Sequence, residues 1–362
     1  MSTAEFHELT IASVQPQSEG AVSLAFSLPP KLQAVYRFTA GQYLTLRADI
    51  DGEDVRRSYS ICSAVQQTDL LEVGIRSVPD GVFSNYAMGL SAGDEVRVMT
   101  PQGRFTAELG GVHRYLLLAV GSGITPCLSI AKSVLQGEPD SRITLVYGNR
   151  TSATMMFRDD ILALKDSYIE RFRLINVMSG EKQEAAVLNG RIDEQKLIGL
   201  SELGMLSAEK YDGCYICGPQ QMMAQTSSAL EALGVDKKRI HIELFATAGS
   251  KARPGTSSRR PAADNEDDTG IAVSLLHDGV KREIKVNPDT DTVLTAAQRA
   301  GLDLPFSCAG GMCSTCRCKV VSGQTLMDIN YSLAEWEIEA GYTLACQTRP
   351  VAEPVELDFD AS

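Results

Sequence analysis

The chain contains no apolar run approaching the ~20 residues that a membrane-spanning helix needs. Its opening residues, Met1-Ser-Thr-Ala-Glu-Phe-His-Glu8, lack the basic-then-apolar order of a secretory signal. Basic charge is also scarce: lysine and arginine total 34 against 46 acidic residues, a formal charge of −12. An acidic chain of this kind is a poor partner for nucleic acid. The four histidines, His7, His113, His241 and His277, are scattered and near no carboxylate cluster, which suits ordinary surface or core roles. No Ser-His-Asp, zinc or phosphate-loop pattern appears, and there is no internal repeat. These absences predict a cytoplasmic protein with no membrane or nucleic-acid partner. Its nine cysteines are then expected to be thiols or metal ligands, and the Asn-x-Ser/Thr triplets at Asn149 and Asn330 chance matches.

A length of 362 residues suggests two or three domains. Residues 1–110 read as an antiparallel β-barrel. Alternating runs such as Ala21-Val-Ser-Leu-Ala-Phe-Ser-Leu28 and Leu70-Leu-Glu-Val-Gly-Ile-Arg76 are broken by Pro29-Pro30, Asp51-Gly52, Pro79-Asp-Gly81 and Gly93-Asp94. From 111 to 246 the rhythm changes. Apolar runs begin at Tyr115, Arg142, Phe172, Asp212 and Ile240, with a helical stretch expected from about 127, which predicts an α/β domain with a parallel sheet. Residues 247–268 have almost nothing to bury and read as a flexible linker. Residues 269–362 open with two short strands around Asp278-Gly279, read as a hairpin, and a helix is expected over Thr292–Ala300.

That last region contains the most specific chemistry. Cys308, Cys313 and Cys316 are spaced C-x4-C-x2-C, and Cys346 follows after a gap. Four thiolates with this spacing match the plant-type ferredoxin pattern for a [2Fe–2S] cluster. Gly310 and Gly311 supply backbone freedom around a compact inorganic core. Ala309, Ser314 and Thr315 are small enough for amides to approach the sulfurs. Cys318 breaks the spacing and is read as a bystander. A disulfide knot or zinc site is the alternative, but zinc motifs usually pair two C-x2-C units and this segment has one.

The other motifs suit an electron source. Arg57-Ser58-Tyr59-Ser60 places a cation, a ring and hydroxyls together, as a flavin would need for phosphate pairing, stacking and hydrogen bonding. Taken alone it is a weak signal. Gly81-Val-Phe-Ser84 adds amides and a hydroxyl for a pyrophosphate, or is a plain turn. Gly121-Ser-Gly123-Ile-Thr125-Pro126 sits where a strand hands over to a helix, a place suited to a dinucleotide phosphate. Cys217-Gly218-Pro219 ends a later strand in the matching position. Arg150 can bind the 2′-phosphate of NADP or be a solvated loop cation. Motifs alone do not separate FAD from FMN.

In this order the motifs resemble the ferredoxin–NADP reductase superfamily, and the C-terminal ferredoxin-like region narrows the resemblance to reductase components of bacterial oxygenases. Tyr147-Gly-Asn-Arg-Thr151, Met155-Met-Phe157, Asn189-Gly-Arg-Ile-Asp193, Asn330-Tyr-Ser-Leu333 and Gly341-Tyr342 add to it. The resemblance implies a β-barrel flavin domain, an α/β nucleotide domain and a β-grasp-like ferredoxin domain. It implies FAD, NADPH and a [2Fe–2S] cluster as cofactors, a diiron oxygenase as electron acceptor, and Glu243 and Phe245 near the flavin ring. Two rival readings remain: a reductase for a different acceptor, such as another oxygenase or a hybrid-cluster protein, and a non-catalytic electron carrier. The flavin and nucleotide motifs count against the carrier. Finally, Glu335, Glu337, Glu339, Glu353, Glu356, Asp358 and Asp360, with Arg349 the only base among them, predict an acidic docking face.

Overall fold

The computed structural model describes residues 5–207, 210–245 and 270–361. The expected linker over 247–268 lies outside the described residues. The chain divides into two compact units: Met1–Leu46 with Tyr59–Ala248, and Arg47–Ser58 with Gly249–Ser362.

Six strands make the N-terminal sheet: β1 (Phe6–Ser18), β2 (Ala21–Ser27), β3 (Tyr43–Ile50), β4 (Glu53–Ser60), β5 (Leu70–Arg76) and β6 (Glu95–Met99). Their order is β4-β3-β6-β1-β2-β5, with β1 antiparallel to β2 and β6, and β2 antiparallel to β5. Ile61, directly after β4, bridges Val73 of β5 and so joins the two ends of this order. A short helix α1 (Val82–Ala87) lies between β5 and β6. The Asp51-Gly52 turn between β3 and β4 has φ of 55° and 81°, the left-handed pair that an Asp-Gly hairpin adopts at least cost.

Next come β7 (Arg114–Val120), α2 (Ile124–Gly137), β8 (Arg142–Asn149), α3 (Arg158–Ser167), β9 (Phe172–Met178), α4 (Glu194–Glu202), β10 (Gly213–Gly218), α5 (Gln220–Ala232) and β11 (Ile240–Leu244). The strands form one parallel sheet in the order β11-β10-β7-β8-β9. Successive residues of β7 feed opposite cores: Leu117 and Ala119 pack with Leu128 and Val134 of α2, whereas Leu116 and Leu118 pack with Leu197 of α4 and Leu230 of α5. Burial on both faces is why β7 reads as an unbroken apolar run and not as an alternation. Helix α2 begins at Ile124, earlier than the expected 127, with Pro126 inside its first turn. Proline is tolerated there because the first amides have no partner within the helix.

The C-terminal sheet comprises β12 (Ile271–His277), β13 (Val280–Val286), β14 (Arg317–Met327), β15 (Tyr342–Leu344) and β16 (Thr348–Asp358), ordered β13-β12-β16-β14-β15. Only β12 and β16 run parallel. Asp278-Gly279 forms the expected hairpin, and α6 (Val293–Arg299), capped by Thr292, buries Val293, Leu294 and Ala297. A five-residue helix, α7 (Glu335–Glu339), follows β14. Among the described residues no helix is long and apolar enough to cross a membrane.

Candidate flavin, nicotinamide and iron–sulfur sites

The strand order of the parallel sheet reverses direction between β7 and β10, since β8 and β9 extend to one side and β11 to the other. Ligands of such sheets bind at the carboxyl ends of the strands at this point. The glycine turn after β7 and the Cys217-Gly218-Pro219 segment at the end of β10 meet there. A Cβ on Gly123 would lie 2.2 Å from the Cys217 carbonyl oxygen, so only glycine permits this approach. Gly121 has φ of +57°. Thr125 is buried and its Oγ1 donates to Ser122 O at 3.0 Å, so the hydroxyl holds the turn itself.

Glu243 of β11 is the register partner of Cys217. Its carboxylate Oε2 accepts from Ser60 Oγ, at the end of β4, over 3.1 Å. Ser60, Cys217 and Glu243 therefore converge, although they are distant in sequence. Burial pushes the Glu243 carboxyl up to about 8, against a smaller lowering by Ser60. Burial also raises the Cys217 thiol well above its ordinary range, and the Glu243 charge adds to the effect. The group sits partly exposed at the surface of its strand while its carboxyl is desolvated, the setting of a proton-holding acid. Phe245 packs against the core that contains Cys217.

Tyr59, Gly81 and Ser84 cluster around α1. The Tyr59 ring lies 5.7 Å from that of Phe83, tilted by 43°. Gly81 precedes α1, and a Cβ there would come within 2.3 Å of Ser84 Oγ. Ser84 Oγ donates to Gly81 O and accepts from Val78 N, each at 3.3 Å. Arg57 Nη1 donates to Arg56 O at 2.7 Å. At the carboxyl end of β8, Arg150 is exposed and its side chain crosses Gly180, where a Cβ would lie 2.8 Å from Arg150 Cγ. Sequence reasoning missed Glu181. Its carboxylate accepts from Ser152 N at 2.7 Å and Ser152 Oγ at 2.8 Å, two residues from Arg150. These bonds hold its carboxyl below the usual range.

In the second unit the cysteine loop wraps on itself. Met312 N and Gly310 N donate to Cys308 Sγ at 3.3 and 3.4 Å, Cys308 N to Cys313 Sγ at 3.4 Å, and Thr315 Oγ1 to Cys313 Sγ at 3.1 Å. Ala309 and Ser314 take positive φ of 49° and 54°, a conformation unusual for residues with a Cβ. The Cys308 thiol is pushed well up, chiefly by Cys313 beside it, and the Cys316 thiol is pushed well up, chiefly by Cys346 beside it. Among the described residues no three His, Cys, Asp or Glu side chains converge as a mononuclear metal site would. Two sulfur pairs with amides aimed at them are the donor set a dinuclear cluster needs, so the residues fit that group. Cys318 is as buried as Cys316, 2% against 2%, and both pack in the domain core, but Cys318 lies outside the C-x4-C-x2-C spacing and burial is the chief cause that raises its thiol.

The same unit holds contacts the sequence did not suggest. Asp303 accepts from Arg56 Nη2 at 2.7 Å and Arg47 Nη1 at 3.4 Å, Arg56 stacks 4.3 Å over the Phe306 ring, and Ser58 Oγ donates to Ser307 Oγ at 2.7 Å. The expected acidic docking face is largely spoken for. Glu337 is fully buried on Arg317, Glu356 pairs with Lys281, Asp360 accepts from the Asp278 and Gly279 amides, and Asp358 from those of Asp360 and Ala361. Carboxylates in a tight β-domain satisfy its own turns first. The side chain of Glu353 lies outside the described residues.

Comparison with known proteins identifies these parts together. Residues 8–107 match an oxidoreductase FAD-binding domain, 117–228 an oxidoreductase NAD-binding domain, and 275–351 a 2Fe-2S iron-sulfur cluster binding domain. A subunit of the 1,2-phenylacetyl-CoA epoxidase of Escherichia coli is 44% identical over 98% of both chains. The chain belongs to the flavin iron–sulfur reductases of multicomponent oxygenases. It is an oxidoreductase of FAD, a nicotinamide nucleotide and a [2Fe–2S] cluster. The ferredoxin reductase component of a 3-ketosteroid-9-alpha-monooxygenase from Mycobacterium tuberculosis is 32% identical over 98% of this chain and 96% of its own. Phthalate dioxygenase reductase, a solved structure, shares the fold with a TM-score of 0.60 at 22% identity, over 98% of this chain and 97% of that one.

Proposed function

We propose that this protein is the NADPH-dependent reductase of a phenylacetyl-CoA ring epoxidase, working in the cytoplasm and delivering electrons to a diiron oxygenase component. The observation that carries the acceptor is the 44% identity, over 98% of both chains, to a subunit of the Escherichia coli epoxidase. The cytoplasmic reading is supported by nine cysteines of which none is in a disulfide.

When bound, FAD supplies hydride acceptance and the cluster supplies one-electron transfer; the chain supplies position, charge and protons. Arg57, Ser58, Tyr59, Gly81 and Ser84 hold the flavin. Gly121, Gly123, Thr125, Pro126, Gly218 and Pro219 shape the turn against which the nucleotide lies, and Arg150 takes its 2′-phosphate. Phe245 covers the flavin side of the crevice. Ser60 and Cys217 fix Glu243 in the crevice, where its carboxyl, neutral at pH 7, holds a proton. Cys308, Cys313, Cys316 and Cys346 would hold the cluster. The organisation follows: residues 1–110 for flavin, 111–246 for nucleotide and 269–362 for the cluster, joined by 247–268.

The test is coupled turnover. The holoprotein, mixed with the purified oxygenase component, should consume NADPH in proportion to phenylacetyl-CoA oxidised. NADPH oxidation that a ketosteroid oxygenase component stimulates and the phenylacetyl-CoA component does not would reassign the acceptor, as the 32% relative allows.

A further inference from the structure

Beside the cluster loop, on its Gly311 side, the second unit exposes large apolar side chains in close succession. Ile329 is 43% exposed, Tyr331 50%, Trp336 61% and Ile338 46%. Trp336 is the chain's single tryptophan. An indole in water forgoes the largest burial gain any side chain offers.

The segment is tightly fastened. Tyr331 N and Ser332 Oγ donate to Gly311 O at 3.0 and 3.2 Å, and Asn330 Oδ1 accepts from the Ser332 and Leu333 amides. Glu337, buried under α7, accepts from Arg317 Nε at 2.9 Å and Ala334 N at 3.0 Å. Arg317 lies between Cys316 and Cys318 and places its guanidinium 3.5 Å over the Tyr342 ring. Trp336 and Ile338 lie on the two flanks of α7, about 100° either side of the inward-facing Glu337, and both are exposed. The exposure is thus held in place by bonds to the cluster loop and to the strand that leaves it.

Charge narrows the partner. From Leu326 to Glu339 there is no lysine, arginine or histidine. Asp328 pairs with Arg349 and Glu337 with Arg317, which leaves the exposed carboxylates of Glu335 and Glu339 at the rim. On the opposite side of the loop, Ser307 and Phe306 are already engaged by Ser58 and Arg56 of the same unit.

We infer that Ile329, Tyr331, Trp336 and Ile338 are the docking surface for the oxygenase component, which meets them with an apolar patch rimmed by lysine or arginine. The inference rests on the acceptor proposed above. An acceptor must approach the loop that holds the last carrier, and aromatic anchors ringed by charge are what protein interfaces use for affinity and orientation.

The experiment uses holoprotein and the purified oxygenase component. Trp336→Ala and Tyr331→Ala should each raise the acceptor KM about fivefold, a typical loss for one interface anchor. The rates of flavin and cluster reduction by NADPH should stay unchanged, and Trp336→Phe should restore most of the affinity. Glu335→Gln with Glu339→Gln should flatten the salt dependence of the acceptor KM. With 5-fluorotryptophan in the chain, the single fluorine resonance should shift when unlabelled oxygenase component is added. Wild-type acceptor KM in both alanine variants, with an unmoved resonance, overturns the inference and leaves the proposed function standing. A resonance that moves with the reductase's own concentration assigns the face to a second copy and also overturns it. Wild-type protein that fails to reduce the oxygenase component overturns the proposed function and this inference together.

Discussion

The cluster loop and the flavin–nicotinamide crevice solve the same problem, holding a redox group, by opposite means. The loop draws three of its four sulfurs from nine consecutive residues, 308 to 316, and its amides point at its own sulfurs. The crevice has no such local unit. Ser60 and Glu243, separated by 183 residues, meet at 3.1 Å, and Gly123 closes on Cys217 from another strand. A site made by local backbone should therefore fail all at once when a ligand is lost. A site made by the packing of separate strands should yield graded losses.

The largest effect expected is at the loop. Serine in place of Cys308, Cys313, Cys316 or Cys346 should remove the cluster absorbance and iron, and cut electron delivery to the oxygenase by about a hundredfold or more, because the one-electron carrier is gone. Flavin content and NADPH oxidation with ferricyanide should persist. Cys318→Ser should keep its iron. Burial does not separate these residues, since Cys316 and Cys318 are equally buried, so the spacing and the nearness of Cys316 to Cys346 predict the difference. A Cys318→Ser protein without iron would break the contrast between ligand and bystander.

In the crevice the central expectation concerns pH. Burial raises the Glu243 carboxyl from its ordinary value to about 8. Below that pH the folded protein keeps the proton, and above it the proton is lost. Flavin reduction by NADPH should accordingly fall as pH rises through about 8, and Glu243→Gln should flatten the profile while lowering the plateau by about a hundredfold, the low end of general-acid contributions. Stability has the matching sign. A carboxyl whose folded value is raised opposes folding above its unfolded value near 4.5, so the wild type should lose stability between about 4.5 and 8 relative to Glu243→Gln. An unchanged pH–rate profile in the variant would show that the crevice does not draw on this proton.

The contrast also explains what can be read in advance. C-x4-C-x2-C is legible because ligand spacing is itself the chemistry. The two Asp-Gly hairpins and α6 are legible because turn and cap residues act within a few positions. The first helical turn at Ile124 is harder to read, since Pro126 resembles a boundary when it is only a tolerated first-turn residue. Pairings across the chain leave no local mark. Nothing near Arg56 announces Asp303, 247 residues away, and nothing in an acidic run tells which carboxylates, such as Glu337, turn inward to a guanidinium. Glu243 is reached by resemblance to a family and not by its neighbours in sequence.

The smallest effect expected separates nucleotides, at the edge of the crevice where both modes of construction give way to solvent. Arg150 is exposed at the end of β8, so a charge-assisted contact with a 2′-phosphate is screened; Arg150→Ala should lower kcat/KM for NADPH by about tenfold and leave NADH nearly unchanged. Glu181 should act in the opposite direction. Its carboxylate already occupies the amide and hydroxyl of Ser152, two residues from Arg150. An anion in that place competes with a phosphate and repels it. Glu181→Gln should therefore raise kcat/KM for NADPH about twofold, a surface-charge effect of the usual size, with little change for NADH. High salt should shrink both differences. Steady-state flavin reduction with each nucleotide, at low and high salt, measures all four quantities. If Arg150→Ala weakens both nucleotides alike, the guanidinium serves the β8 turn over Gly180, and the preference for NADPH must come from elsewhere in the crevice.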